Sequence, residues 1–330
     1  MRIVYADPGT PSWYPITVMA ELTARLLEAE LVTVAGGVPT WRKLRAVLPR
    51  SRRGDTCLVI APEPVNLQSV LRVPGLVRGH DRLVGWVIDS WWDDRIPQIA
   101  RAPSWFDDLY ITENAAIEAW RSSTGTRVEW LPVGTDALGV GAADDHRPVD
   151  LLRVGRQPEA WSDDELTARD AAAAGVTFAG RPPFHEDRAR GVPALLGHLR
   201  QATFVLAFGH RWDQHGYTHP TREYLTPRWT DALACGATVA GVAPDCSSAR
   251  ELLWEGATLD LGGTDRSAGL ATIAEAVRSW TPDHARRNHL LALQRLDWRW
   301  RVQRLATDLD RSTKTLDAEL GALRSRIAAG

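Results

Sequence analysis

The sequence predicts an α/β protein made of two doubly wound, Rossmann-like domains that face each other across a cleft. Short runs of β-branched and apolar residues alternate with helical patterns from the first residue onward. The alternation stops once, at a segment rich in glycine and aspartate, and then restarts. The chain has 330 residues with 44% hydrophobic content, which fills two domains more naturally than one.

The first half of the chain contains the elements of one such domain. Strands are predicted at residues 2–6, 30–35, 57–61, 83–88, 109–112 and 128–131, and amphipathic helical stretches such as 16–27 and 115–122 lie between them. Strands that alternate with helices form a parallel sheet covered on both faces. We therefore predict an N-terminal domain over residues 1–135.

The second half repeats the pattern after the segment PVGTDALGVGAADDHRPVD, for which we predict a linker at residues 136–149. Strands follow at 151–154, 176–179, 204–208, 238–242 and 258–261, with helices at 162–174, 190–200, 227–235, 247–254 and 268–279. These elements predict a C-terminal domain over residues 150–305. A charged, helical tail at 306–330 either caps this domain or crosses back to the first.

The composition of the chain argues against several classes of protein. Basic and acidic residues nearly balance, 39 against 41, so no global field favours nucleic acid. Three scattered cysteines are too few for a disulfide framework or a zinc cluster. Because the N-terminus enters a strand directly and no run approaches about 18 apolar residues, we expect a cytoplasmic protein.

Two acids stand eight positions apart in REYLTPRWTDALACGATVAGVAP, residues 222–244. Between them, Thr226 and Pro227 predict a helix start, with the threonine side chain capping the first amides. Such a helix end suits a phosphate, and the flanking carboxylates of Glu223 and Asp231 suit the hydroxyls of a sugar and a ribose. Equally, Glu223 fits a solvated loop acid, and Asp231 fits a simple complement to the helix dipole.

This block resembles the E-x7-E block of group 1 glycosyltransferases, the family 4-like retaining enzymes of GT-B fold, in which Ala-x-Ala-x-Gly-x-x-Val follows the second acid. The matching residues here are Asp231, Ala232, Ala234, Gly236 and Val239. DLLRVGRQ (150–157), RVEWLPVGTD (127–136) and LDWRWRVQRL (296–305) are similar to the family's first donor-domain strand, its hinge and its closing helix. The resemblance covers residues 108–305 and implies sugar transfer from a nucleotide sugar with retention.

The resemblance also implies roles for single residues. Glu223 would hold the hydroxyls of the donor sugar, Asp231 the ribose, and Arg156 the diphosphate whose charge develops as it leaves. The remaining positions expected to bind the donor are Gly155, Gly180, Arg181, His219, Leu225, Thr226 and Arg228. No metal and no cofactor are expected, because protein cations face the leaving group.

The sequence departs from the family pattern at several positions. Tyr224 and Thr226 stand where the family has glycines, and Thr226 can replace a backbone contact with its hydroxyl. Trp161 stands where the family carries a lysine, so we assign the second cation to Arg228, in preference to Arg181 and Arg222. Arg228 also fits an ordinary surface arginine of a helix.

The resemblance implies that the N-terminal domain, residues 1–135, binds the acceptor, but the acceptor site is less clearly marked. Asp89, Glu63 and Gly9 follow predicted strands of the first domain, and Asp89 fits a helix cap equally well. The acceptor would be a small molecule, a glycan or a lipid-linked compound. The basic, amphipathic residues 40–53 fit a weak contact with a membrane surface or an anionic acceptor, or a surface helix with its apolar face in the core. His210, His215 and His219 have a spacing compatible with zinc, which nothing else supports.

Together these features predict a metal-independent, retaining glycosyltransferase with a nucleotide-sugar donor. Two alternatives stay open. A nucleotide-sugar epimerase or hydrolase on the same fold would form product without an acceptor. A GT-B-like protein that binds a nucleotide sugar without catalysis would explain the altered acidic block.

Overall fold

A computed structural model describes residues 1–10, 13–35, 55–71, 74–77, 79–91, 96, 106–183, 187–212 and 219–330. The chain folds as two compact units. The first comprises Met1–Pro132 with Arg301–Leu320, and the second comprises Val133–Trp300 with Gly321–Gly330. The basic segment 40–53 lies outside the described residues.

The first unit is a six-stranded, entirely parallel sheet in the order β2-β1-β3-β4-β5-β6. Its strands are β1 (Arg2–Asp7), β2 (Glu30–Ala35), β3 (Thr56–Ala61), β4 (Arg82–Val87), β5 (Asp108–Ile111) and β6 (Arg127–Trp130). Its helices are α1 (Tyr14–Leu26), α2 (Pro64–Leu71), α3 (Pro74–Val77) and α4 (Ile117–Thr124). The strands β1, β3 and β4 are mostly apolar and buried, as expected inside a parallel sheet covered on both faces, whereas residues 30–34 of the edge strand β2 are exposed or half-buried.

A polar cluster joins the tail of the chain to this sheet. Arg82 donates to the carboxylate of Asp108, with its Nε 2.8 Å from Oδ2, and to the carbonyl of Asp308 at 3.0 Å. The Tyr110 hydroxyl donates to the Asp308 carboxylate at 2.9 Å. Residues 301–320 are therefore an integral part of the first unit.

The second unit is a five-stranded parallel sheet in the order β11-β10-β9-β7-β8. The strands are β7 (Val149–Arg153), β8 (Phe178–Ala179), β9 (Ala202–Phe208), β10 (Thr238–Val242) and β11 (Thr258–Asp260). The helices are α5 (Ala137–Val140), α6 (Asp164–Ala173), α7 (Arg188–Gln201), α8 (Pro227–Ala234), α9 (Ser247–Leu252), α10 (Arg266–Ser279) and α11 (Pro282–Arg295). The last two helices, α12 (Trp298–Asp308) and α13 (Lys314–Ala329), contribute residues to both units.

The predicted α/β class is confirmed, with two doubly wound parallel sheets. The segment for which a linker is predicted, 136–149, contains the one-turn helix α5 and lies within the second unit. It also contains a buried arginine, Arg147, whose guanidinium donates to the carbonyls of Ala202 and Cys235, both at 2.6 Å. Burial lowers the pKa of Arg147 to about 10, so the group stays charged at neutral pH and satisfies backbone acceptors.

Candidate active site

The strand order of the second unit marks where a ligand binds. From β7 the chain moves to β8 on one side of the sheet, and from β9 it moves through β10 to β11 on the other. The neighbours β7 and β9 therefore form the switch point of the sheet, and ligands of open α/β sheets bind beyond the carboxyl ends of such strands. The loops that follow these two strands start at residues 154 and 209.

An arginine connects the two strand ends at this point. Arg228, on the first turn of α8, donates from Nη1 to the carbonyl of Arg156 at 2.9 Å and from Nη2 to the carbonyl of Phe208 at 3.3 Å. Gly155, just before Arg156, has φ +70°, a conformation that favours glycine, and a Cβ there would lie 3.5 Å from Cδ of Arg228. The predicted cation is thus placed beside the Gly-Arg loop.

Glu223 is buried, 7% exposed, and each of its carboxylate oxygens holds a neighbouring loop. Oε1 accepts from the amide of Arg211 at 3.2 Å, in the turn after β9, and Oε2 accepts from the amide of Asp245 at 2.9 Å, in the loop after β10. Glu223 is therefore not a solvated loop acid. Because it accepts amides from the loops after β9 and β10, Glu223 holds these two loops of the candidate site together.

Gly209 is a residue of this site that sequence reasoning missed. A Cβ on Gly209 would lie 2.2 Å from Oε1 of Glu223 and 3.2 Å from Cα of Pro244. Only glycine therefore lets the carboxylate reach the Arg211 amide. A Gly-His pair directly after a buried apolar strand is the signal that marks the position.

The helix cap predicted at Thr226 is not formed. Thr226 is the N-cap residue by its backbone, with φ −106° and ψ 162°, but its side chain makes no cap hydrogen bond. The hydroxyl is buried and has no hydrogen-bond partner among the described residues. The backbone enters α8 with Pro227 at the first position, which fixes the helix start without the side chain.

Asp231 lies in a different environment from Glu223. It is half-buried on the second turn of α8, and its carboxyl group accepts a hydrogen bond from the hydroxyl of Thr135. Burial raises its pKa to about 6, an effect that the Thr135 hydrogen bond only partly offsets. The adjacent Thr230 hydroxyl lies 3.3 Å from the carbonyl of Gly134. The middle of α8 is thus joined to residues 134–135.

The other residues expected to bind the donor lie either after β8 or in the loop that leads to α8. Gly180 and Arg181 follow β8, where the Arg181 side chain donates to the carbonyl of Gly155 at 3.2 Å. Leu225 is 4% exposed, and His219 is 9% exposed. Nδ1 of His219 accepts from the backbone amides of residues 221 and 222, which places its proton on Nε2.

The three acceptor candidates lie at the corresponding edge of the first sheet. Gly9 follows β1 with φ +75°, and its amide donates to the Asp7 carboxylate at 2.8 Å. The Glu63 amide donates to the side chain of Asn66, and the Asp89 amide donates to the carbonyl of residue 62 at 2.7 Å. The structure brings these residues to the ends of β1, β3 and β4, which are neighbours in the sheet.

Among the described residues, no group of three or more His, Cys, Asp or Glu side chains is arranged to hold a metal ion. His215 of the histidine trio lies outside the described ranges, while His210 stacks on Tyr224 with ring centroids 4.3 Å apart. No helix in the described part of the chain is long and apolar enough to cross a membrane.

The two sheets define an α/β protein of two Rossmann-like units. No protein-family model matches the chain, and no curated protein sequence is significantly similar to it. Among solved structures, the chain is similar to HepE of Anabaena, whose crystal structure is a complex with UDP and glucose. The TM-score is 0.54 at 14% sequence identity, over 94% of this chain and 99% of the HepE chain. At this identity the likeness shows a shared fold.

Proposed function

We propose that the protein is a glycosyltransferase that moves a sugar from a nucleoside-diphosphate sugar to an acceptor. The observation that carries the proposal is that Arg228 donates to the carbonyls of Arg156 and Phe208 at the switch point of the second sheet, next to the turn after β9 that Glu223 holds. The fold shared with HepE, which was crystallised with UDP and glucose, supports a nucleotide-sugar donor. The E-x7-E-like block supports the same class of donor.

In this proposal the diphosphate lies over the Gly155–Arg156 loop and the start of α8. As the bond between the sugar and the phosphate oxygen breaks, negative charge develops on the leaving diphosphate. The Arg156 guanidinium and the positive end of α8 stabilise that charge, so no metal is required. The acceptor oxygen forms the new bond to the sugar, its proton ends on the leaving phosphate or in solvent, and the anomeric configuration is retained.

Glu223 acts here mainly by positioning. Each of its oxygens already accepts one backbone amide, which fixes the turns after β9 and β10. A carboxylate oxygen has a second lone pair, so contact with a sugar hydroxyl is compatible with this geometry. Asp231 would take the ribose in this proposal, with Thr135 holding its carboxyl group.

Turnover of a panel of UDP-, GDP- and dTDP-sugars, followed by mass spectrometry with cell extract as the source of acceptor, tests the function. We expect a glycosylated product and free nucleoside diphosphate only when extract is present, and undiminished turnover in EDTA. Product without extract would identify an epimerase or hydrolase instead. NMR of the anomeric proton of the product tests retention.

Both carboxylate oxygens of Glu223 accept backbone amides, and this favours a second candidate function. In this candidate the protein binds a nucleotide sugar without catalysis. A carboxylate that is buried and holds two loops contributes to binding even where no transfer occurs. This candidate predicts binding of a nucleotide sugar with no turnover in any extract.

A further inference from the structure

The turn after β9, residues 209–212, is fixed by three backbone hydrogen bonds. The amide of Gly209 donates to the carbonyl of the last residue of β10 at 2.9 Å. The amide of Arg211 donates to the carboxylate of Glu223 at 3.2 Å, and the amide of Trp212 closes the turn on the carbonyl of Gly209 at 3.0 Å. The backbone of the turn therefore has a defined position at the end of the sheet.

The four residues of this turn divide into a buried pair and an exposed pair. Gly209 and His210 are buried, and the ring of His210 stacks on Tyr224. Arg211 and Trp212 are both exposed, and 42% of Trp212 is accessible to solvent. Trp212 is the only exposed tryptophan among the described residues. A fixed turn that presents an indole and a guanidinium to solvent has the properties of a preorganised binding surface.

The exposed pair follows β9, one of the two strands at the switch point, where ligands of doubly wound sheets bind. An indole face packs well against the C–H groups of a sugar ring, because the face of an aromatic ring is negative and those groups are slightly positive. A guanidinium pairs with a carboxylate or a phosphate. Together the two side chains suit a sugar that carries a negative charge.

The charges of the described residues around the turn also favour an anionic ligand. The side chain of Arg211 makes no hydrogen bond or ion pair with the described residues, and Arg222, beside Glu223 in the chain, is exposed as well. Asp245, whose amide Glu223 also accepts, is already paired with Arg250 at 2.6 Å. The guanidinium of Arg211 is thus available to an anion of the ligand.

The position of Glu223 indicates which substrate carries that anion. In the proposed function the donor sugar lies against the Glu223 carboxylate, which would repel a second negative charge on that sugar. The diphosphate lies over the loop at 155–156, and a nucleobase is uncharged, so neither accounts for the Arg211 guanidinium beside the indole. The anionic sugar therefore belongs to the acceptor.

We propose that Arg211 and Trp212 form a subsite for the acceptor, and that the acceptor is a sugar with a carboxylate or phosphate group. Its ring packs on the indole of Trp212, and its anion pairs with the guanidinium of Arg211. The inference rests on the proposed function and deepens it, because it gives the chemical class of the acceptor. The two side chains take no part in binding the diphosphate.

Anion exchange of the cell extract that supplies the acceptor tests its charge with the wild-type protein. The flow-through and the salt eluate are each desalted and incubated with the full chain and its preferred nucleotide sugar. We expect glycosylated product from the eluate and none from the flow-through. Product from the flow-through would show that the acceptor is not anionic and would overturn the inference.

Variants of the full chain test the two residues. Arg211→Gln removes the positive charge and keeps the backbone amide that Glu223 accepts. Trp212→Ala removes the indole, whereas Trp212→Phe keeps an aromatic face. Arg287→Gln, at an exposed position of α11, is the matched control. Turnover is measured against the concentration of the salt eluate, and binding of UDP, GDP and dTDP is measured by calorimetry.

We expect Arg211→Gln to raise the apparent KM for the eluate about 10- to 100-fold, the usual loss for a hydrogen bond to a charged group. Trp212→Ala should raise it about tenfold, and Trp212→Phe should stay within about threefold of the wild type. In all three variants kcat and the affinity for the preferred diphosphate should stay within about threefold of the wild type. The Tm should not change, because both side chains are exposed.

The remaining outcomes separate failure of the function from failure of the inference. If the wild type forms no product with any fraction, the proposed function fails and the inference with it. If product forms and Arg211→Gln and Trp212→Ala keep the wild-type KM for the eluate, the inference alone fails. Weaker binding of the diphosphate in these variants would assign the pair to the donor and would also overturn it. An equal rise of KM in Arg287→Gln would show a general effect of charge in place of a subsite.

Discussion

The two ends of the acidic block occupy different environments, although the sequence presents them as one motif. At the amino end, Glu223 holds the turns after β9 and β10, and Arg228 joins β7 to β9. In the middle of α8, Asp231 and Thr230 contact residues 134–135. Glu223 therefore fixes the loops at the strand ends, whereas Asp231 attaches α8 to residues 134–135.

The largest expected effect is that of Glu223→Ala. It leaves two part-buried loop amides without their acceptor, so we expect a loss of about 1–3 kcal/mol in the free energy of unfolding. Because both loops border the switch point, turnover should fall at least about 100-fold. Denaturant unfolding and steady-state kinetics measure the two effects. Glu255→Ala, at an exposed position, is the matched control. If Glu223→Ala changed stability and turnover as little as this control, Glu223 would not hold the two loops as described.

Arg228→Met should have the next largest effect on the site. Methionine fills part of the volume but cannot donate to the carbonyls of residues 156 and 208. We expect the affinity for a nucleoside diphosphate to fall about tenfold or more. Calorimetry measures the loss, and Arg278→Met, on an exposed face of α10, should leave the affinity unchanged.

Gly209→Ala tests whether the position of the Glu223 carboxylate matters for binding. The added Cβ would lie 2.2 Å from Oε1 of Glu223, so the carboxylate must leave the Arg211 amide. We expect the affinity for nucleoside diphosphate to fall in the same direction as in Glu223→Ala, by a smaller factor. Alanine at the half-buried Gly263, where a Cβ meets nothing within 4 Å, is the control. Wild-type affinity in the Gly209 variant would show that the carboxylate is not needed there.

The smallest effect is a pH dependence at Asp231. Its pKa is about 6 in the folded protein, above its ordinary value of 3.8, so the folded state favours the protonated acid. The contribution of this group to the free energy of unfolding is fully present below about pH 4 and is lost as the pH rises through about 6. Asp231→Asn should therefore raise the free energy of unfolding by about 1–3 kcal/mol at pH 7.5. The gain should vanish at pH 4 in urea titrations, and a gain that is equal at both pH values would contradict it.

Much of the fold follows from local patterns. The strands at 30–35 and 238–242 agree with prediction at both ends, since each is a short run rich in β-branched and apolar residues. Parallel order also brings the loops after β7 and β9 together. These features need only periodicity and the rules of doubly wound sheets.

The contacts of single side chains could not be predicted in this way. The hydrogen bond between Asp231 and Thr135 joins positions 96 apart. No local pattern marks Arg147 as buried, because it stands in a polar segment rich in glycine and aspartate. Thr226 has the sequence of a cap, but its side chain makes no cap hydrogen bond. Side-chain partners depend on packing between loops, which periodicity does not encode.

Hydrogen exchange of the full chain with saturating UDP, GDP or dTDP tests the central claim most directly, that the diphosphate binds at the switch point of the second sheet. We predict slower exchange in peptides that cover residues 154–157 and 207–212, with no change at 61–63 and 88–90 in the first unit. Protection of 61–63 and 88–90, with 154–157 and 207–212 unchanged, would contradict the account.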